Sequence, residues 1–224
     1  MQLRDFDRII CLCVDGRYEA EWPRVRDLIR SKGAEVECFI DGKGELLPRE
    51  RYDQISPPSP DVWTGLPASF PQFAAFQAIV RRASDSGAET LLYVEDDVAF
   101  IREFDAVLAA ACDQIRRHAI SWDLLYYGAN HTWARTQEVA PNLLRIFGSY
   151  AMHCLAIRRP AFDTILALPP VLPMDMALAT ELHPTCGCYA IWPSIAVQQP
   201  GYSFVNHAHE DYTAYFRSRG TPIA

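Results

Sequence analysis

Apolar positions along the chain fall into two rhythms, short continuous runs and stripes at helical spacing. Ile9-Ile10-Cys11-Leu12-Cys13-Val14 is a continuous run that predicts a central strand, ending at Asp15-Gly16-Arg17. From Glu19 to Lys32, Trp22, Val25, Leu28 and Ile29 recur at helical spacing, and Gly33 supplies the stop. Ala34 to Ile40 predicts a second strand, closed by the turn Asp41-Gly42. Strand, helix and strand together have the length of a parallel crossover. The rhythm then lapses: between Asp41 and Pro71 lie Pro48, Pro57, Pro58, Pro60, Pro67 and Pro71 with Trp63 among them. Loops of this length inside a domain are functional or disordered. Ser69 is the expected N-cap of the next helix, with Pro71 in its first turn, Phe73, Phe76, Ile79 and Val80 on one face, and an end by Gly87.

The stretch Thr90 to Phe100 organises the rest. Its strand-forming run Leu91-Leu92-Tyr93-Val94 stops abruptly at Glu95, Asp96 and Asp97. Runs of this kind read as strands buried on both faces, and α/β sheets carry ligands at the carboxyl ends of such strands. Three adjacent carboxylates repel one another, and a hard divalent cation bound through oxygen offsets that repulsion. A solvated acidic turn capping the following helix is the competing expectation.

Further on, Glu103 to His118 is helical, with Phe104, Val107, Leu108, Ala111 and Ile115 on one stripe. Trp122 to Tyr127 predicts a strand ending in the polar turn Gly128-Ala129-Asn130-His131, and Thr132 to Pro141 a loop. Leu143–Phe147 and Tyr150–Ile157 are expected to pair as a hairpin about Gly148-Ser149. Pro160 to Leu168 and Met174 to Leu182 predict short helices, and Cys188 to Trp192 a last strand. The tail is aromatic and polar, with His207, His209, Glu210 and Asp211 close together.

At 224 residues, 50% of them hydrophobic, the chain is long enough for one α/β domain with a substantial core. A net charge of −7 gives no bulk attraction to nucleic acid or anionic membrane, so an anionic substrate must be met by local basic groups or a bound metal. Seven cysteines, several inside apolar runs, suggest buried free thiols in a reducing compartment. Cys11-Leu-Cys13 and Cys186-Gly-Cys188 lack the spacing of a zinc pair. The charged N-terminus and the lack of an apolar segment approaching ~20 residues point to a cytoplasmic protein without a membrane span.

The order of motifs, from the Ser69 helix through Leu92-Tyr93-Val94-Glu95-Asp96-Asp97-Val98 to Trp122-Asp-Leu-Leu-Tyr-Tyr-Gly128, resembles glycosyltransferase family 25, typified by lipooligosaccharide and collagen hydroxylysine galactosyltransferases. Gly148-Ser-Tyr-Ala-Met, Met174-Asp175 and the stretch Pro193 to Ser203 are similar to later motifs of that family. Before Ser69 the chain departs, with Cys11-Leu-Cys13-Val14-Asp15-Gly16-Arg17 where the family shows Ile-Asn-Leu and two arginines.

The resemblance implies a single GT-A domain over 1–224, with a mostly parallel central sheet flanked by helices, residues 1–100 binding the donor and 101–224 facing the acceptor. It also implies metal-dependent, inverting transfer of a sugar from a nucleotide-sugar, a UDP-sugar for preference, to a hydroxyl. The acceptor would be a saccharide or another hydroxyl compound, a modified DNA base included. A catalytically silent nucleotide-binding module of the same fold is the alternative. On the match, Asp97 is the expected direct ligand of Mn2+ or Mg2+, Glu95 its partner, and His207, or else His209, a further ligand from the tail. Asp175 is the expected catalytic base, or the N-cap of its helix. Asp15, Arg17, Ser69, Gln72, Glu95 and Asp96 form the expected donor-binding set, Asn130 and His131 the acceptor side. Trp63, Trp133, Tyr150 and Tyr202 are candidates for stacking on sugar rings.

Overall fold

A computed structural model describes residues 2–41, 66–131, 135–170, 172–203 and 208–222, the side chains of 41 and 66–71 excepted. The apolar run at the start of the chain forms strand β1 (Arg8–Val14), and helix α1 (Tyr18–Arg30) leads back to β2 (Glu37–Asp41), parallel to β1. Gly33, at φ +75°, allows the left-handed turn that ends this helix. Helix α2 (Leu66–Asp85) delivers the chain to β3 (Thr90–Glu95), which lies parallel to β1 on its other side. Strand β4 (Val98–Phe100), helix α3 (Phe104–Arg117) and β5 (Leu124–His131) follow, then β6 (Thr136–Ala140), β7 (Leu143–Ile146) and β8 (Ser149–Arg158). Helix α4 (Arg159–Ala167), the short α5 (Met174–Ala177) with its wide continuation Leu178–Leu182, and β9 (Cys188–Ile191) complete the main body. The C-terminal part adds β10 (Ala196–Gln198), β11 (Gly201–Ser203), β12 (Ala208–Glu210) and α6 (Thr213–Ser218).

Eight strands form one sheet in the order β2-β1-β3-β8-β5-β9-β7-β6. The pairings make β8 and β7 antiparallel to their neighbours, so the other six run in one direction. Because side chains alternate across a strand, each central strand feeds two cores. Cys11, Cys13, Leu92, Val94, Leu125 and Tyr127 pack on one face with Val25, Ile29, Leu108 and Phe216. Ile10, Leu12, Leu91, Tyr93, Leu124 and Tyr126 pack on the other with Phe73, Phe76, Ile79, Phe162 and Leu178. Helices thus cover both faces of a mixed, mostly parallel sheet, as the sequence pattern predicts.

Strand β3 stops at Glu95, as the sequence pattern predicts, and Asp96-Asp97 turn the chain into β4, which pairs with β10. Four local expectations are corrected. Gly128 to His131 is strand, because Gly128, Asn130 and His131 pair with Cys154, Tyr150 and Ser149. Residues 136–140 form the edge strand β6, exposed from Gln137 to Val139. β7 and β8 do not form a hairpin: β7 lies between β6 and β9, and β8 between β3 and β5. Helix α2 begins at Leu66, which places Ser69 inside the helix and not at its cap.

Candidate functional site

Strands β1, β3 and β5 run the same way, so Val14, Glu95 and His131 end at one edge of the sheet, where the oppositely directed β8 begins with Ser149. The acidic turn lies on this edge between β3 and β4. Asp96 is 1% exposed. Its Oδ2 accepts the Val14 N–H at 2.8 Å, and its Oδ1 takes a short charged bond from Arg17. Arg24, from α1, donates to the Asp96 and Val98 carbonyls at 2.6 Å each, pinning both ends of the turn. Burial raises the Asp96 carboxyl to about 6, with Arg17 and the Val14 amide opposing. Asp96 is therefore a strut joining β1 to β3, each of its oxygens holding one internal bond.

Glu95 and Asp97 differ from it. Glu95 Oε1 accepts from Gln72 Nε2 at 3.1 Å and from the Tyr93 hydroxyl at 3.0 Å. Its pKa is pushed up to about 8, by burial first and by the Asp97 charge second. Asp97 Oδ2 accepts from Gln198 Nε2 at 2.8 Å, with Arg17 Nη1 3.8 Å away. The main chain of the same β10 segment adds a bond from the Gln199 amide to the Asp97 carbonyl at 2.8 Å. Burial raises Asp97 as well, against Gln198 and Arg17. Asp97 Oδ1 is buried with no hydrogen-bond partner among the described residues. Such an orphan normally costs free energy and so calls for an explanation.

Asp175 is held differently. It lies inside α5, not at its cap: Pro173 occupies the cap position, and the two Asp175 oxygens accept from the Ala151 and Met176 amides at 2.9 and 2.8 Å. Ala151, at φ +51°, is a strained position that this bond helps to hold. A carboxylate has about four acceptor sites, so two bonds leave Asp175 able to accept more. The half-buried phenol of Tyr212 links the two acidic regions: its pKa is raised by burial and then by Glu210, Asp97 and Asp175.

Behind the edge lie three buried histidines. His131 Nδ1 is 2.7 Å from the Ser149 hydroxyl, His183 Nε2 is 2.8 Å from the Tyr126 hydroxyl, and His153 Nε2–H donates to the Ala196 carbonyl at 3.2 Å. Burial holds all three neutral, with His131 lowered to about 3 and His153 and His183 to about 4. His131 was expected to line the acceptor side. It is only 3% exposed, because β5 continues through it as a strand paired with Ser149 of β8.

The structure thus brings together Arg17, Gln72, Glu95, Asp96 and Asp97, while Asp175 shares with Asp97 only an effect on Tyr212. Asp15 is exposed in the turn preceding α1. Asn130 is half-buried, while Tyr150 and Tyr202 are 38% and 40% exposed. His209 is exposed on the β11–β12 hairpin, edge-on to Tyr202 at 5.7 Å. His207, Trp63 and Trp133 lie outside the described residues, as does the side chain of Ser69. Sequence reasoning missed Arg24, Gln198 and Tyr212. Gln198 does fall in the Pro193 to Ser203 stretch, but no local pattern marks Arg24.

No protein-family model matches the chain, and no curated protein does. Among solved structures the chain is similar to the protein A197 from STIV, at 12% identity and a TM-score of 0.45, covering 82% of this chain and 81% of that one. It is also similar to apo UDP-glucose pyrophosphorylase, at 8% identity and a TM-score of 0.41 over 82% of this chain and 72% of that one. A glycosyltransferase involved in the glycosylation of the major capsid of PBCV-1 is similar at 9% identity and a TM-score of 0.33, over 70% and 63% of the two chains. Superpositions this loose transfer neither site nor substrate.

Among the described residues no helix is long and apolar enough to cross a membrane, and no group of three or more His, Cys, Asp or Glu side chains is arranged to hold a metal. Two carboxylates are nevertheless a sufficient protein contribution for Mg2+ or Mn2+, which complete their shells with water and substrate phosphates. The orphaned Asp97 oxygen and the neighbouring Glu95 fit that requirement.

Proposed function

We propose that the chain is a metal-dependent transferase that moves a sugar from a nucleotide-sugar donor to an acceptor hydroxyl. One observation carries the reading: Asp97 presents a buried carboxylate oxygen, unpartnered among the described residues, beside Glu95 at the carboxyl end of β3. Asp97 and Glu95 are the residues that would hold Mn2+ or Mg2+, with His207 as the further ligand from the tail. A divalent cation bound there supplies positive charge against the diphosphate as it leaves.

The remaining roles belong to the protein. Gln198 holds Asp97, and Gln72 with the Tyr93 hydroxyl holds Glu95, so the pair is preorganised before a donor arrives. Arg17 is anchored to Asp96 and 3.8 Å from Asp97, which sets a guanidinium beside the proposed diphosphate position. Asp15 and the β1 end border the same edge and would face the ribose or base. Asp175 would accept the proton of the acceptor hydroxyl as it attacks the anomeric carbon, giving inversion.

A thermal-shift screen of nucleotide sugars, with manganese and with chelator, tests the reading. A UDP-sugar is expected to raise Tm only when manganese is present. Failure of every nucleotide sugar to do so would remove the proposal.

A further inference from the structure

Outside the acidic site, β1 and its edge neighbour β2 gather three sulfurs on one face. Cys11 and Cys38 are register partners across the parallel pair, and Cys13 lies two residues beyond Cys11 on the same side. Cys13 Sγ is 3.3 Å from Cys38 Sγ and 3.6 Å from Cys11 Sγ. All seven cysteines of the chain are free thiols, and this is a point where three of them meet. Cys11 and Cys13 are fully buried, whereas Cys38 is half-buried on the edge strand, which gives a small solute an approach.

We propose that this cluster is a modification site: a two-electron oxidant of the peroxide class converts Cys13 and Cys38 to an intramolecular disulfide. The position favours Cys13 as the attacking sulfur. It receives S–H from Cys38, it contacts Cys11, and these bonds together with Arg17 favour its thiolate against the cost of burial. The Cys13 sulfur attacks one peroxide oxygen, the O–O bond breaks, and the departing hydroxide leaves as water, so that Cys13 carries a sulfenic acid. The Cys38 sulfur then attacks the Cys13 sulfur, the S–O bond breaks, and the oxygen leaves as a second water with the Cys38 proton. Two thiols lose two electrons and one peroxide gains them.

Cys38 and not Cys11 is the resolving partner because its sulfur is the nearer to Cys13, at 3.3 against 3.6 Å. Cys13 lies diagonal to Cys38, whose register partner is Cys11, so closing the bond requires the two strands to shift. Cys11 and Cys13 share a central strand paired on both sides, whereas β2 is an edge strand with one partner and can move inward. The bond would form next to Val14, whose amide holds Asp96.

The test treats the folded full-length protein with equimolar hydrogen peroxide, alkylates remaining thiols after unfolding, and maps the products by peptide mass spectrometry. Reactive thiols should fall from seven to five, with one reductant-reversible link joining the Cys13 and Cys38 peptides. In Cys38→Ser the link should vanish and dimedone should label Cys13, whereas Cys112→Ser should behave as the parent. An unchanged thiol count, a link between any other pair, or sulfenic acid on a cysteine other than Cys13 would each overturn the proposal, and the first two need no variant.

Discussion

Gln198 Nε2 donates to Asp97 Oδ2 at 2.8 Å, while Oδ1 of the same carboxylate is buried without a partner among the described residues. The side chain is thus oriented from one oxygen and left open at the other. Asp97→Asn keeps the shape and removes the charge that raises Glu95. Its Tm without metal should equal or exceed that of the parent, and manganese should no longer raise it. A variant that loses stability but keeps the manganese response would show that Asp97 is a structural group.

Glu95 gives a pH dependence of definite sign. Its folded pKa, about 8, lies above the ordinary value of 4.5, so the folded state holds the proton more tightly than the unfolded chain. The resulting stability is full below 4.5 and is lost as pH rises towards about 8. In metal-free protein, Glu95→Gln should therefore gain Tm relative to the parent as pH rises through that window. A difference in Tm between variant and parent that stays constant from 4.5 to about 8 would contradict the raised Glu95.

The buried histidines act in the opposite sense. Folded pKa values of about 3 for His131 and about 4 for His153 and His183 lie below the ordinary 6.5. Their stability contribution is present above 6.5 and is lost as pH falls through that window towards 4 and 3. Imidazole NMR signals of all three should stay in the neutral form until the protein unfolds in acid. Titration of any of them near 6.5 in the folded protein would contradict the burial described.

Gly128 tests the packing behind the site. A Cβ there would run into the Ala196 carbonyl and the His153 ring, where β10 crosses close over β5. Overpacking of this kind costs about 1–3 kcal/mol, so Gly128→Ala should lower stability by that much in denaturant titration. A neutral result would mean that the crossing is looser than described.

What could be read from the sequence and what could not separates by range. The strands β1 and β3 and helix α3 were legible because each carries its own periodicity and buries it directly. The acidic turn was legible too, since a buried run halting at three carboxylates is a local pattern. The internal role of Asp96 was not, because it depends on Val14 and Arg17, 82 and 79 residues away. Gln198 reaches Asp97 across 101 residues. The polar end of β5 looked like a turn because Asn130 and His131 are poor strand formers. Pairing with Tyr150 and Ser149 overrides that propensity, and the Tyr215 hydroxyl adds a bond to the His131 carbonyl at 2.8 Å.

Isothermal titration calorimetry of uridine diphosphate into the wild-type protein, with manganese and then with chelator in its place, reads the central claim most directly. The account predicts saturable binding that requires manganese. Equal binding in both conditions, or none in either, would contradict a cation seated on Asp97 and Glu95.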